Sequence, residues 1–136
     1  MPYVDANQLP ESSVPRPFER KLKVVMAPQT HAEVKDFTLL FSTLAPRGGC
    51  TDSHSHEESG ELMVVNSGEG KAWLAGEEYE LKPGVVLYAP PHVEHRTMNV
   101  SDEPMHIICV FIPPAPEDYL DKNITAAERT RRDDGR

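Results

Sequence analysis

Proline and glycine punctuate this chain so densely that a long helix has nowhere to form. Thirteen prolines and eight glycines fall among 136 residues. The intervals between them are rich in β-branched and aromatic residues and have the length of strands. The strands read from these intervals are 21–26, 37–44, 52–56, 61–66, 70–75, 78–81, 85–89, 94–99 and 105–112. Many short strands separated by turns predict an all-β sandwich or barrel rather than alternating strands and helices.

The two ends read differently. Residues 1–20 carry prolines and no sustained periodicity, which predicts an N-terminal arm lying on the barrel or on a neighbouring subunit. The barrel is expected over 21–116, because Pro113-Pro114-Ala115-Pro116 ends the last strand: proline has no N–H to give to a ladder. Residues 117–136 form a charged tail in which Thr125-Ala126-Ala127-Glu128 fits a capping box and predicts a short helix. The closing Arg129-Thr130-Arg131-Arg132-Asp133-Asp134 mixes both signs, as a solvated terminus does.

A formal charge of -8 argues against nucleic acid and anionic membrane as partners, since both call for clustered Lys and Arg. No apolar run approaches the roughly 18 to 20 residues that span a bilayer, and residues 1–5 lack the pattern of an export signal. The chain is expected to be soluble and cytoplasmic, with Cys50 and Cys109 as reduced thiols.

The chemistry concentrates in two histidine-bearing segments. In an extended segment, residues two apart share a face, so His54 and His56 can reach one ion. Their surroundings follow the spacing G-x5-H-x-H-x4-E-x6-G at Gly48, His54, His56, Glu61 and Gly68. A second spacing, G-x5-P-x-G-x2-H-x3-N, is met at Gly84, Pro90, His95 and Asn99, with His92 where glycine is usual.

These spacings resemble the two motifs of the cupins, over roughly residues 36–113. The resemblance implies a double-stranded β-helix, a jelly-roll-like barrel of two antiparallel sheets. It also implies one divalent metal near a barrel mouth, held by His54, His56, Glu61 and His95. Three imidazoles and a carboxylate suit a transition metal, with iron or manganese ahead of zinc, nickel or copper. Cupins commonly pair, so a homodimer is expected.

Three further residues are candidates for catalysis: His106, Tyr88 and His92. His92 is either adapted to a turn or placed at the barrel mouth. The last strand offers two faces, His106 with Ile108 and Val110, or Ile107 with Cys109 and Phe111, and either can look inward. An inward His106 would serve as a proton carrier; otherwise Cys109 is a small core residue. Tyr88 is either a pocket hydroxyl or packing. Arg96, next to His95, should point away from the metal into a surface ion pair. Met63 and Val65 share the Glu61 face and should wall an apolar pocket.

A fold of this kind hosts many chemistries. The open metal site leads to a small metal-dependent enzyme acting on an oxygen-rich or enolisable metabolite, with an iron- or manganese-dependent dioxygenase first. The alternatives are a non-redox lyase, isomerase or decarboxylase, or a non-catalytic binding protein.

Overall fold

The computed structural model describes residues 2–117. Within them run β1 (Ser12–Val14), β2 (Arg20–Met26), β3 (Thr38–Leu44), β4 (Gly60–Ser67), β5 (Gly70–Leu74), β6 (Glu77–Leu81), β7 (Val86–Ala89), β8 (His95–Asn99) and β9 (Met105–Ile112). A six-stranded sheet has the order β1-β2-β3-β9-β4-β7, and a three-stranded sheet the order β6-β5-β8. Every pairing is antiparallel. This is the expected all-β double-stranded β-helix. The capping box at 125–128 lies outside the described residues.

Alternation fixes which face of each strand looks inward. On β3 the pattern is strict: Thr38, Leu40, Ser42 and Leu44 are buried and the residues between them only half-buried. On β9 the buried set is Met105, Ile107, Cys109 and Phe111. These join Leu22, Val24, Met63, Val65, Ala72, Leu81 and Ala89 in one apolar core between the sheets. The opposite face of β9 carries His106, Ile108 and Val110, so the open question about that strand resolves in favour of Cys109 inside.

Two elements differ from the sequence reading. A strand lies within the arm: β1 pairs with β2 through Ser12–Leu22 and Val14–Arg20, and its few residues are too short to register as periodicity. The segment 52–56 forms no strand. It meets β8 only at an isolated bridge, where His54 and His95 exchange backbone hydrogen bonds of 3.0 and 2.8 Å. Outside that bridge the Asp52 carbonyl accepts from the His54 ring at 2.7 Å and the His56 carbonyl from the His92 backbone N–H at 2.8 Å.

The end of the second motif is structural. Asn99 is fully buried, and its amide donates to the Leu44 carbonyl at 3.1 Å and the Glu103 carbonyl at 2.7 Å. Its Oδ1 accepts from the Ser101 backbone N–H at 2.8 Å. One side chain thus ties β8 to the end of β3 and to the loop before β9. Asn99→Ala would strand these groups, and a buried unsatisfied group costs about 1–3 kcal/mol. Urea unfolding should show a loss of at least about 2 kcal/mol, whereas Lys71→Ala, which removes an exposed ion pair to Glu78, should stay within about 0.5 kcal/mol.

Candidate metal centre

Two sheets meet at one end of the barrel, and each contributes to a cluster of four side chains. Glu61 comes from β4, His95 from the first position of β8, and His54 and His56 from the segment between β3 and β4. One ligand atom from each lies within 4.8 Å of all the others. Glu61, His56 and His95 are buried and His54 is half-buried. The glycine-substituted position of the second motif supports this arrangement from outside: His92 adopts a φ of 70° and donates its backbone N–H to the His56 carbonyl at 2.8 Å.

The donor chemistry fits a cation. The Nδ1–H of His54 donates to the Asp52 carbonyl at 2.7 Å, and that of His95 to the Val93 carbonyl at 2.9 Å. Each bond fixes a ring so that Nε2 faces the centre, the orientation metal-ligating histidines require. Glu61 Oε1 sits 3.0 Å from Nε2 of both His56 and His95. A bare Nε2 lone pair facing a carboxylate oxygen is repulsive, so His95, its Nδ1 proton already committed, needs a second proton or a metal ion there.

The electrostatics agree. Burial penalises the Glu61 charge, yet hydrogen bonds from His56 and His95 outweigh it and hold the carboxyl at about 2. For His95 burial likewise opposes the charge, but Glu61 raises the pKa overall. Burial lowers that of His54, aided by the neighbouring histidines, so His54 offers a neutral ring. Phe111, fully buried, meets the His56 ring edge to face at 5.0 Å and limits its freedom.

The cluster opens onto a pocket of about 360 Å³. Leu22, Leu40, Met63 and Ile107 wall it, and Ser42, Thr51 and Thr97 add hydroxyls. Met63 is the inward wall expected from the Glu61 face, while Val65 is buried deeper in the core. Val14, Phe18 and Arg20 bring the N-terminal segment to the same pocket, and among the described residues Asp52 is the one lining carboxylate besides Glu61. Burial pushes the Cys109 thiol well up, Glu61 beside it adds to the shift, and Arg20 offsets only part of it.

The three catalytic candidates are not brought to the pocket. His106 is exposed on the outer face of β9, its Nδ1 3.1 Å from Thr43 Oγ1. Tyr88 is 48 % exposed, its ring lying over Gly60 on the outer face, because β7 pairs Tyr88 with the outward Leu62. His92 is exposed, and its left-handed backbone serves the turn. Arg96 does point away from the His/Glu cluster, but its guanidinium stacks over Trp73 at 4.7 Å and joins no carboxylate among the described residues. Sequence reasoning missed Arg20 and Asp52. Arg20 alternates with Leu22 and Val24, and extending β2 by one residue would have placed it on their inward face.

The family model of the cupin domain matches residues 40–111. An uncharacterised protein of Methanocaldococcus jannaschii is 30 % identical over 93 residues, which cover 68 % of this chain and 73 % of that one. A glucose-6-phosphate isomerase of Pyrococcus abyssi is 35 % identical over 71 residues, 48 % of this chain but only 38 % of the isomerase. Among solved structures, KdgF from a Halomonas species superposes with a TM-score of 0.73 at 22 % identity, covering 88 % of this chain and 98 % of that one. That similarity shows the fold.

Because His95 binds its proton more tightly than an ordinary histidine, a metal must displace that proton near neutral pH. Metal affinity should therefore fall by about tenfold per unit as pH drops through the raised His95 pKa. Glu61, held at about 2, should contribute nothing in that range. Competition titrations with a chromophoric chelator between pH 8 and pH 5 would measure the slope.

Proposed function

The chain belongs to the cupin family, and from that premise we propose that it is a metal-dependent enzyme acting on a small oxygen-rich or enolisable metabolite. One observation carries this reading: four convergent ligand atoms open onto a pocket of metabolite size. Iron or manganese is the ion we assign, because a three-imidazole, one-carboxylate set suits both. Such an ion, when bound, polarises a substrate oxygen as a Lewis acid.

The remaining work falls to the chain. His54 and His95 are held by their Nδ1 hydrogen bonds, so the ligand set is oriented before substrate arrives. The apolar walls exclude water around the reacting oxygens. Asp52 holds its half-exposed carboxylate at the pocket rim, 3.8 Å from His54 Nδ1, where it can take a proton from carbon beside a polarised carbonyl. Proton transfer, as in an isomerase or lyase, is therefore the leading reaction class, and the similarity to glucose-6-phosphate isomerases supports it. An iron- or manganese-dependent dioxygenase is the second reading, favoured by the redox-competent ligand set.

We also propose a homodimer. Val86, Tyr88 and Ile112 are 57, 48 and 48 % exposed, and the register places them on one outward face of the six-stranded sheet. Sedimentation should give a dimer that Tyr88→Glu dissociates; a monomeric wild type would refute this.

The catalytic reading predicts about one transition metal per chain after purification and its loss in His54→Ala. With metal loaded, NMR should detect deuterium exchange beside the carbonyl of enolisable acids or ketoses without oxygen uptake. Asp52→Asn should slow that exchange at least about 100-fold with metal content unchanged. Oxygen uptake on the same panel would transfer the assignment to the dioxygenase. No stoichiometric metal in wild type would overturn both.

A further inference from the structure

Arg20 is the one cationic side chain lining the pocket among the described residues. It leaves β2 on the same face as Leu22 and Val24, the face that looks into the barrel. Other cations have found partners: Arg16 pairs with Glu19, Arg47 with Asp102 and Lys71 with Glu78, and Arg96 stacks on Trp73. Among the described residues no carboxylate forms an ion pair with Arg20. Its recorded hydrogen bond is from Nη1 to the Phe18 carbonyl at 3.0 Å. That bond tethers the guanidinium to the arm and leaves the rest of the donor fork free.

We propose that Arg20 is a substrate-binding residue that receives an oxyanion, a carboxylate or phosphoryl group, on a substrate whose other end meets the metal centre. This rests on the metal-bound substrate reading above and adds the substrate class. A guanidinium presents parallel donors that match an oxyanion in two hydrogen bonds, a geometry water satisfies less well in a confined pocket. The charges agree with it. A divalent ion with Glu61 and three neutral imidazoles leaves about +1; Arg20 adds a second positive charge and the Asp52 carboxylate at the rim offsets one, so the pocket keeps a net charge of about +1. A neutral metabolite would leave that charge uncompensated, whereas an anionic one anchored at two points would be fixed in orientation. In an otherwise acidic chain of net charge -8, a cation placed here serves local recognition rather than long-range attraction.

The test uses manganese-loaded protein and hydroxamates, whose oxygens chelate the ion. Calorimetry would compare acetohydroxamate with the monohydroxamates of malonate, succinate and glutarate and with their phosphonate counterparts. At least one anionic member should bind about tenfold tighter than acetohydroxamate. Arg20→Gln should erase that preference while leaving acetohydroxamate binding as in wild type, which also reports an intact fold and metal site. Arg20→Lys should keep part of the preference. Preference within the carboxylate arm or the phosphonate arm identifies the oxyanion. If acetohydroxamate binds but no anionic member is preferred, or if the preference survives Arg20→Gln, the role of Arg20 is refuted and the metal-site reading stands. If no hydroxamate binds the metal-loaded wild type, the metal-site reading itself falls.

Discussion

A carboxylate buried in an apolar barrel needs positive partners, and Glu61 organises this molecule around that need. Moving such a charge out of water costs several kcal/mol even after relaxation. Here His56 and His95 both approach the same oxygen at 3.0 Å, and a shared proton or metal ion offsets the cost. Glu61 belongs to the six-stranded sheet and His95 to the three-stranded one, so the interaction also joins the two sheets at this end. The close packing of Phe111 on His56 and the carbonyl contacts of His54 and His95 follow from holding that geometry.

Around this point the pocket divides its labour. The His54, His56, Glu61 and His95 cluster lines it, aliphatic side chains from β2, β3, β4 and β9 form its walls, and the N-terminal segment brings Phe18 and Arg20 to it. The polar groups outside the ligand set are few: hydroxyls, the Asp52 carboxylate and the Arg20 guanidinium. A cavity that sets placed polar groups against apolar walls favours ligand orientation over indiscriminate affinity. Asp52 and Arg20 line the same pocket with opposite charges.

Much of the architecture was legible because it depends on local rules. Turn residues bound the strands, and the two spacings single out the four side chains that cluster at one end of the barrel. Contacts between distant segments were not legible. Tyr88 and His106 were attractive as chemistry, but register turned both outward: pairing with Leu62 fixes Tyr88, and pairing with Thr43 fixes His106. His92 proved to be a residue whose backbone, rather than its ring, meets the demand of the turn. Arg20 was overlooked because it stands at the junction of an irregular arm and a strand, where periodicity has too few residues to declare a face.

The sequence by itself determined that this chain forms a β barrel and that His54, His56, Glu61 and His95 converge, because alternation, turn chemistry and ligand spacing act over a few residues. Tertiary structure alone decided what surrounds them. Which face of β9 enters the barrel, where the N-terminal segment docks, and which charges share the pocket all depend on pairings between residues far apart in the chain. A one-residue change of register would reverse each strand's faces, so Cys109 and Arg20 could be assigned to the pocket only once those pairings were known.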